Sequence, residues 1–146
     1  MRRSLIVGTA VLTTLMMGST AALAANPHIV GSPTATESGN SLILSASVAG
    51  LGSVDEVTFS LVGTVDVSSR CYTKSGNKPQ AANKQETISV NSTETFDVRN
   101  GRTNATFTVT PLSTLTCPRG QKVVVESVTY DLDLTYQGEV LHTFSS

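Results

Sequence analysis

Apolar residues recur at every second position along most of this chain. Leu42, Leu44, Ala46 and Val48 alternate with Ile43, Ser45 and Ser47, and Val57, Phe59 and Leu61 with Glu56, Thr58 and Ser60. Ala105, Phe107 and Val109 alternate with Thr106, Thr108 and Thr110. Val128, Tyr130, Leu132 and Leu134 alternate with Thr129, Asp131, Asp133 and Thr135. A period of two gathers one set of side chains on one face of an extended strand. No window of twelve or more residues carries the 3.6-residue period of a helix. Ser and Thr supply 33 of residues 25–146; Thr is β-branched and Ser favours turns, so composition points to strands as well. The chain is predicted to be all-β.

Turn signals divide the pattern. Residues 29–37 are weakly patterned and read as an edge strand, closed by Ser38-Gly39-Asn40. Residues 50–53 break the next strand. Gly63 is expected to bulge or bend the third, which continues through Val65 and Val67 to near Arg70. A polar loop is expected over residues 72–85. Ile88 and Val90 resume an alternation that Phe96 and Val98 finish. Asn100-Gly101 is the strongest hairpin signal. A loop over residues 111–121 leads to the long strand through Val128. Val123 and Val125 are expected inward, which requires a phase change at a bulge near Glu126 or Ser127. Gln137-Gly138 then turns the chain into residues 140–144. Seven or eight short antiparallel strands of this kind predict an immunoglobulin-like antiparallel β-sandwich over residues 25–146.

The first 24 residues stand apart. Arg2 and Arg3 precede an apolar run over residues 5–17, and Ala22-Leu23-Ala24 is a small-x-small cleavage site. This is a secretory signal peptide, expected to be helical and cut near Ala24, with the general secretory route favoured over the twin-arginine one. The run is too short for a membrane anchor, so the protein is expected to be extracellular. Without Arg2 and Arg3, eight basic residues face eleven acidic ones, a net charge of −3. That balance argues against a nucleic-acid binder.

Cys71 and Cys117 are the only cysteines. An even pair in an oxidising compartment closes. Redox pairs use C-x-x-C spacing, which is absent. The enclosed loop of about 45 residues would make a disulfide worth about 3–4 kcal/mol. In the sandwich both cysteines fall in links at the same pole. Antibody domains differ: their bridge joins the second and sixth strands, and they carry a core Trp, whereas Trp is absent here.

Four segments, Asn26-Pro27-His28, Ala49-Gly50-Leu51-Gly52, residues 71–84 and Cys117-Pro118-Arg119-Gly120-Gln121, carry a resemblance. Together they resemble a group of small secreted bacterial β-sandwich proteins of actinobacterial type with a single disulfide. The resemblance implies an exported, disulfide-closed sandwich. It brings no assigned activity and no catalytic residue.

The residues themselves offer little chemistry. The histidines are His28, on the N-terminal arm, and His142, which alternates with Val140 and Phe144 and so faces inward. No G-x-S-x-G places a nucleophile, and a hydrolase is the least favoured reading. Asp55 and Glu56 could meet Asp131 and Asp133 at one pole around Ca²⁺, but a solvated outer face is the simpler reading, with no D-x-D-x-D-G loop present. Neither metal nor cofactor is expected. Asn91-Ser92-Thr93 and Asn104-Ala105-Thr106 match the glycosylation pattern, which a bacterium is not expected to use. Sugar-binding platforms need flat exposed rings, and only Tyr72, Tyr130 and Tyr136 could supply them, with Tyr130 expected in the core.

The segment over residues 72–85 is the most distinctive. Tyr72, Lys74, Asn77, Lys78, Gln80, Asn83 and Lys84 lie in it, beside Cys71. Long loops of this kind are often functional. Arg70, Arg119 and Lys122 are expected at the same pole, so six of the eight basic residues gather there. Asp55, Glu56, Asp131, Asp133 and Glu139 are expected toward the other, which makes an electric dipole. The simpler reading is that these lysines only keep a long loop solvated. The functional reading is a non-enzymatic binding domain that presents Tyr72, Lys74, Asn77, Lys78, Gln80, Asn83, Lys84 and Arg119 to an anionic partner, a wall polymer or an acidic protein surface. The alternative is a protease inhibitor offering Lys74 or Lys78 to a specificity pocket.

Overall fold

The structure, a computed structural model, describes residues 25–146. The expected signal helix lies outside the described residues. Seven strands follow in order: β1 His28–Ser38, β2 Ser41–Ala49, β3 Glu56–Thr73, β4 Pro79–Asp97, β5 Thr103–Val109, β6 Gln121–Tyr136 and β7 Glu139–Ser145. They form two antiparallel sheets, β1-β2-β5 and β4-β3-β6-β7. The chain changes sheets after β2, β4 and β5. This is the expected β-sandwich, with seven strands rather than eight. Its fourth strand pairs with the third, unlike that of a constant-type antibody domain.

Alternation dictates what is buried. Along β5 every odd-numbered residue from Thr103 to Val109 faces the core. Along β3, Val57, Phe59, Leu61, Val65, Val67, Ser69 and Cys71 do so. Phe59 meets Phe96 and Tyr136, with ring centroids 5.9 and 5.7 Å apart, and Phe96 meets Phe107 edge-on at 5.5 Å. Each large apolar side chain buried this way contributes about 1.5–3 kcal/mol. Tyr130, expected in the core, packs against it half-buried.

The structure locates the phase change in β6. Ser68 pairs with Ser127 and Ser69 with Val125, so Glu126 is the extra residue of a bulge. A second bulge shifts β7: Leu134 pairs with His142 but Thr135 with Val140. His142 therefore faces inward with Phe144, while Val140, expected on the same face, is turned out and exposed.

Gly63 does not bulge β3. It stays in register with Val90 on one side and Leu132 on the other. Its role is close approach: at φ 150° a Cβ would lie 2.0 Å from the Asp131 carbonyl oxygen. β3 is thus one strand of 18 residues.

Strand lengths are unequal, and that shapes the molecule. β3 and β4 have 18 and 19 residues, β2 and β5 nine and seven. At about 3.3 Å per residue the β3–β4 hairpin runs roughly 60 Å, about twice the length of β2. The short sheet cannot cover the far half of its inner face. The β5–β6 connection crosses it instead, burying Leu112 and Ser113.

Candidate functional site

The segment expected as a polar loop over residues 72–85 is a hairpin. β3 continues through Thr73 and β4 begins at Pro79, so only residues 74–78 form the turn. Residues 79–87 have no apolar alternation, yet they are strand because β3 supplies the hydrogen-bonding partner, from Arg70 with Asn83 to Asp66 with Thr87. The turn is tight. The Gly76 N–H donates to the Thr73 carbonyl at 2.7 Å and the Thr73 N–H to the Lys78 carbonyl at 3.0 Å. Gly76 adopts φ 76°, a left-handed conformation that suits glycine.

Two devices hold the base of this hairpin. Cys71, fully buried at the end of β3, is bonded to Cys117 in the β5–β6 connection, with Cα atoms 5.6 Å apart. The second device is polar. The Ser69 and Ser113 hydroxyls are 2.6 Å apart. Asn40 receives the Leu112 N–H on its carbonyl and the Ser113 N–H on its side-chain oxygen, at 2.9 and 2.7 Å. Glu86 accepts the Thr114 N–H at 2.9 Å, the Thr114 and Ser113 hydroxyls, and pairs with Lys84 at 3.0 Å. The hydrogen bonds from Thr114, above all, lower the Glu86 pKa to about 2.

These contacts sort the expected site residues. Lys84 is turned back onto Glu86 and Thr114. Arg70 pairs with Glu126 at 3.3 Å without hydrogen-bond alignment, and the Tyr72 hydroxyl donates to the same carboxylate at 2.8 Å. That hydrogen bond, with desolvation next, raises the Tyr72 pKa. Gln80 and Asn83 spend their side-chain amides on neighbouring carbonyls. Lys74, Asn77 and Lys78 stand exposed at the tip, and Arg119 in the turn before β6. Lys122 joins them: its Nζ lies 3.0 Å from where a Cβ on Gly76 would be. Among the described residues Lys74, Lys78, Arg119 and Lys122 make no ion pair. The structure therefore replaces an eight-residue loop surface with a smaller cationic tip.

The carboxylates that position Arg70, Tyr72 and Lys84 escaped the sequence reading. Glu126 is brought to Arg70 and Tyr72 by the β3–β6 register, whereas Glu86 lies two positions from Lys84 on the same face of β4, a neighbour hidden because that segment read as loop. The charge split is also smaller than expected. Arg99 and Arg102 flank the hairpin at the opposite end, while Glu86 and Glu126 sit near the disulfide. Asp131 and Asp133 lie level with Thr64 and Val62, not at the far pole. Asp133 is thus six positions along β3 from Glu56, roughly 20 Å, so the supposed Ca²⁺ ligands do not meet. Asp133 accepts the Thr143 hydroxyl at 2.6 Å. Among the described residues no three His, Cys, Asp or Glu side chains gather for a metal.

Two open grooves lie at opposite ends of the sandwich. One, about 540 Å³, runs at the disulfide end between Glu37, Asn40, Leu115, Lys122 and Val125. The other, about 630 Å³, lies at the opposite end between Val30, Ser47, Asp97, Arg99, Arg102 and Asn104. Neither is lined by a histidine. The His28 ring nitrogen contacts the Asn26 carbonyl at 2.9 Å, and His142 packs edge-on against Phe144 at 4.7 Å. Among the described residues, no hydrogen bond joins either histidine to a serine, threonine or cysteine side chain. Compared with known protein families and with curated proteins, the chain matches none of them.

Proposed function

We propose that this is an exported, non-enzymatic binding domain that docks an anionic polymer through the cationic tip of its β3–β4 hairpin. The observation that carries this reading is the convergence of Lys74, Lys78, Arg119 and Lys122 on one end of the molecule without ion-pair partners among the described residues. Unpaired cations on a braced projection attract anions at modest conformational cost, because the segment that bears them is already ordered. Export rests on the N-terminal signal pattern and agrees with a disulfide. A bacterial wall polymer or an acidic protein surface fits the same chemistry.

The inhibitor reading loses ground to the turn geometry. Gly76 folds back onto Thr73, so Lys74 and Lys78 lie in a closed turn rather than on an extended strand a protease could hold.

The test is binding to polyphosphate and polyglutamate at low salt. The fourfold variant Lys74→Gln, Lys78→Gln, Arg119→Gln, Lys122→Gln should lose binding, and Lys84→Gln should keep most of it. Binding should weaken steeply with salt, since these charges are exposed. Equal binding by the fourfold variant ends the proposal.

A further inference from the structure

Four strands form the edges of the two sheets, and three carry the features by which proteins keep an edge from pairing with another chain. β1 shifts register between Val30 and Thr34, where Gly31 and Pro33 lie. β5 and β7 have only seven residues each, and β7 is bulged. β4 carries such features only at its tip end, where Pro79 and a register shift before Asn83 lie. It runs 19 residues, and its pairing with β3 is unbroken from Asp97 to Asn83. After Pro79 it contains no proline and no glycine, and Lys84 is its one cation. No described strand meets its outer side.

We propose that β4 pairs with β4 of a second copy of this chain, antiparallel about a two-fold axis through Ser89. Two four-stranded sheets then become one of eight. The side chains select this register. Even-numbered β4 residues share the core-facing side, since their β3 partners include the buried Phe59, Val65 and Ser69. With the axis on Ser89, Lys84 of each copy faces Glu94 of the other, and Ile88 faces Val90. On the outer face Gln85 meets Thr93 and Thr87 meets Asn91. Charge and apolar matches thus coincide in one register. An axis on Val90 would set Glu86 against Glu94, and an axis on Ile88 would set Glu86 against Val90. A half-step would turn the core-facing side chains of one copy to the outer face of the other. Glu94 has no ion pair within its own chain, among the described residues, and Lys84, bonded to Glu86 and Thr114 but 45% exposed, would bridge from them to Glu94 of the second copy. The pairing is independent of what the tip binds, and it would point the two tips in opposite directions, roughly 90 Å apart.

Sedimentation equilibrium of the disulfide-bonded protein across the micromolar range tests this. The expected result is a dimer, twice the chain mass. Ser89→Lys puts two ammonium groups face to face on the axis at an exposed position; it should give a folded monomer whose melting temperature, unlike that of the wild type, does not rise with protein concentration. Glu94→Lys opposes two lysines across the seam and should weaken association about tenfold. Adding Lys84→Glu to Glu94→Lys should restore it. The Glu94 and Lys84 variants carry the test alone if Ser89→Lys does not fold. A wild-type monomer throughout the range overturns the proposal. So does a dimer indifferent to these substitutions, or a double variant that fails to recover.

Discussion

Gly63 constrains this fold through space and Glu86 through charge. Gly63 sits mid-strand with a carbonyl oxygen where a Cβ would be. Gly63→Ala should therefore cost about 2–4 kcal/mol in denaturant unfolding, more than an ordinary strand substitution, because neither backbone can withdraw without breaking pairing. Glu86 shows the second kind of effect. Its carboxyl is held at about 2 in the fold, below its value of 4.5 when free. A depressed carboxyl pKa stabilises the fold above the unfolded pKa, and that contribution is lost as pH falls from about 5 toward 2. The melting temperature should fall across that window. Glu86→Gln should flatten the fall and lower stability at neutral pH, since it removes the charge and one of the two oxygens that Thr114, Ser113 and Lys84 share. A melting curve of the variant as steep in acid as that of the wild type would count against this role.

Among the elements, the β5–β6 connection does work that its sequence does not announce. Residues 110–120 have no strand pattern, yet they cover the half of β3 that the short sheet leaves open, and Leu112 is as buried as any strand residue. The Cys71–Cys117 bond fixes this cover to the hairpin across 46 positions. Its removal by Cys71→Ala with Cys117→Ala should cost about 3–4 kcal/mol, read as a lower denaturation midpoint. Hydrogen exchange should rise first in residues 112–117 and in β3 beyond Val67, because detachment exposes that face to water. Uniform loosening of both sheets would contradict this division of labour.

The whole molecule is a short sandwich with a long braced hairpin projecting from one end. The core lies between the sheets, away from the tip, so stability and the recognition proposed for the tip are separable. Replacing residues 74–78 by Asn-Gly, a pair suited to a two-residue hairpin turn, should leave the melting temperature within a few degrees while abolishing polymer binding. A large drop in melting temperature would place the tip within the structural frame.

Local pattern determined a good deal. Period two alone identified the strands through Leu42, Phe59, Phe107 and Leu132, hence an all-β sandwich. The broken phase at Glu126 announced a bulge, because a strand with one buried face cannot change phase without an extra residue. Two cysteines in an inferred common pole anticipated their bond. What stayed hidden depends on pairing across the sheet. Residues 79–87 read as loop because an edge strand over a partly covered face needs no apolar alternation; β3 alone makes them strand. Which cations are held was decided partly the same way: register delivers Glu126 to Arg70, while Lys84 meets Glu86 two positions along the same face of β4, a neighbour visible only once that segment is known to be strand. Side-chain period is a local property and can be read along the chain, whereas register and coverage arise only when distant segments meet.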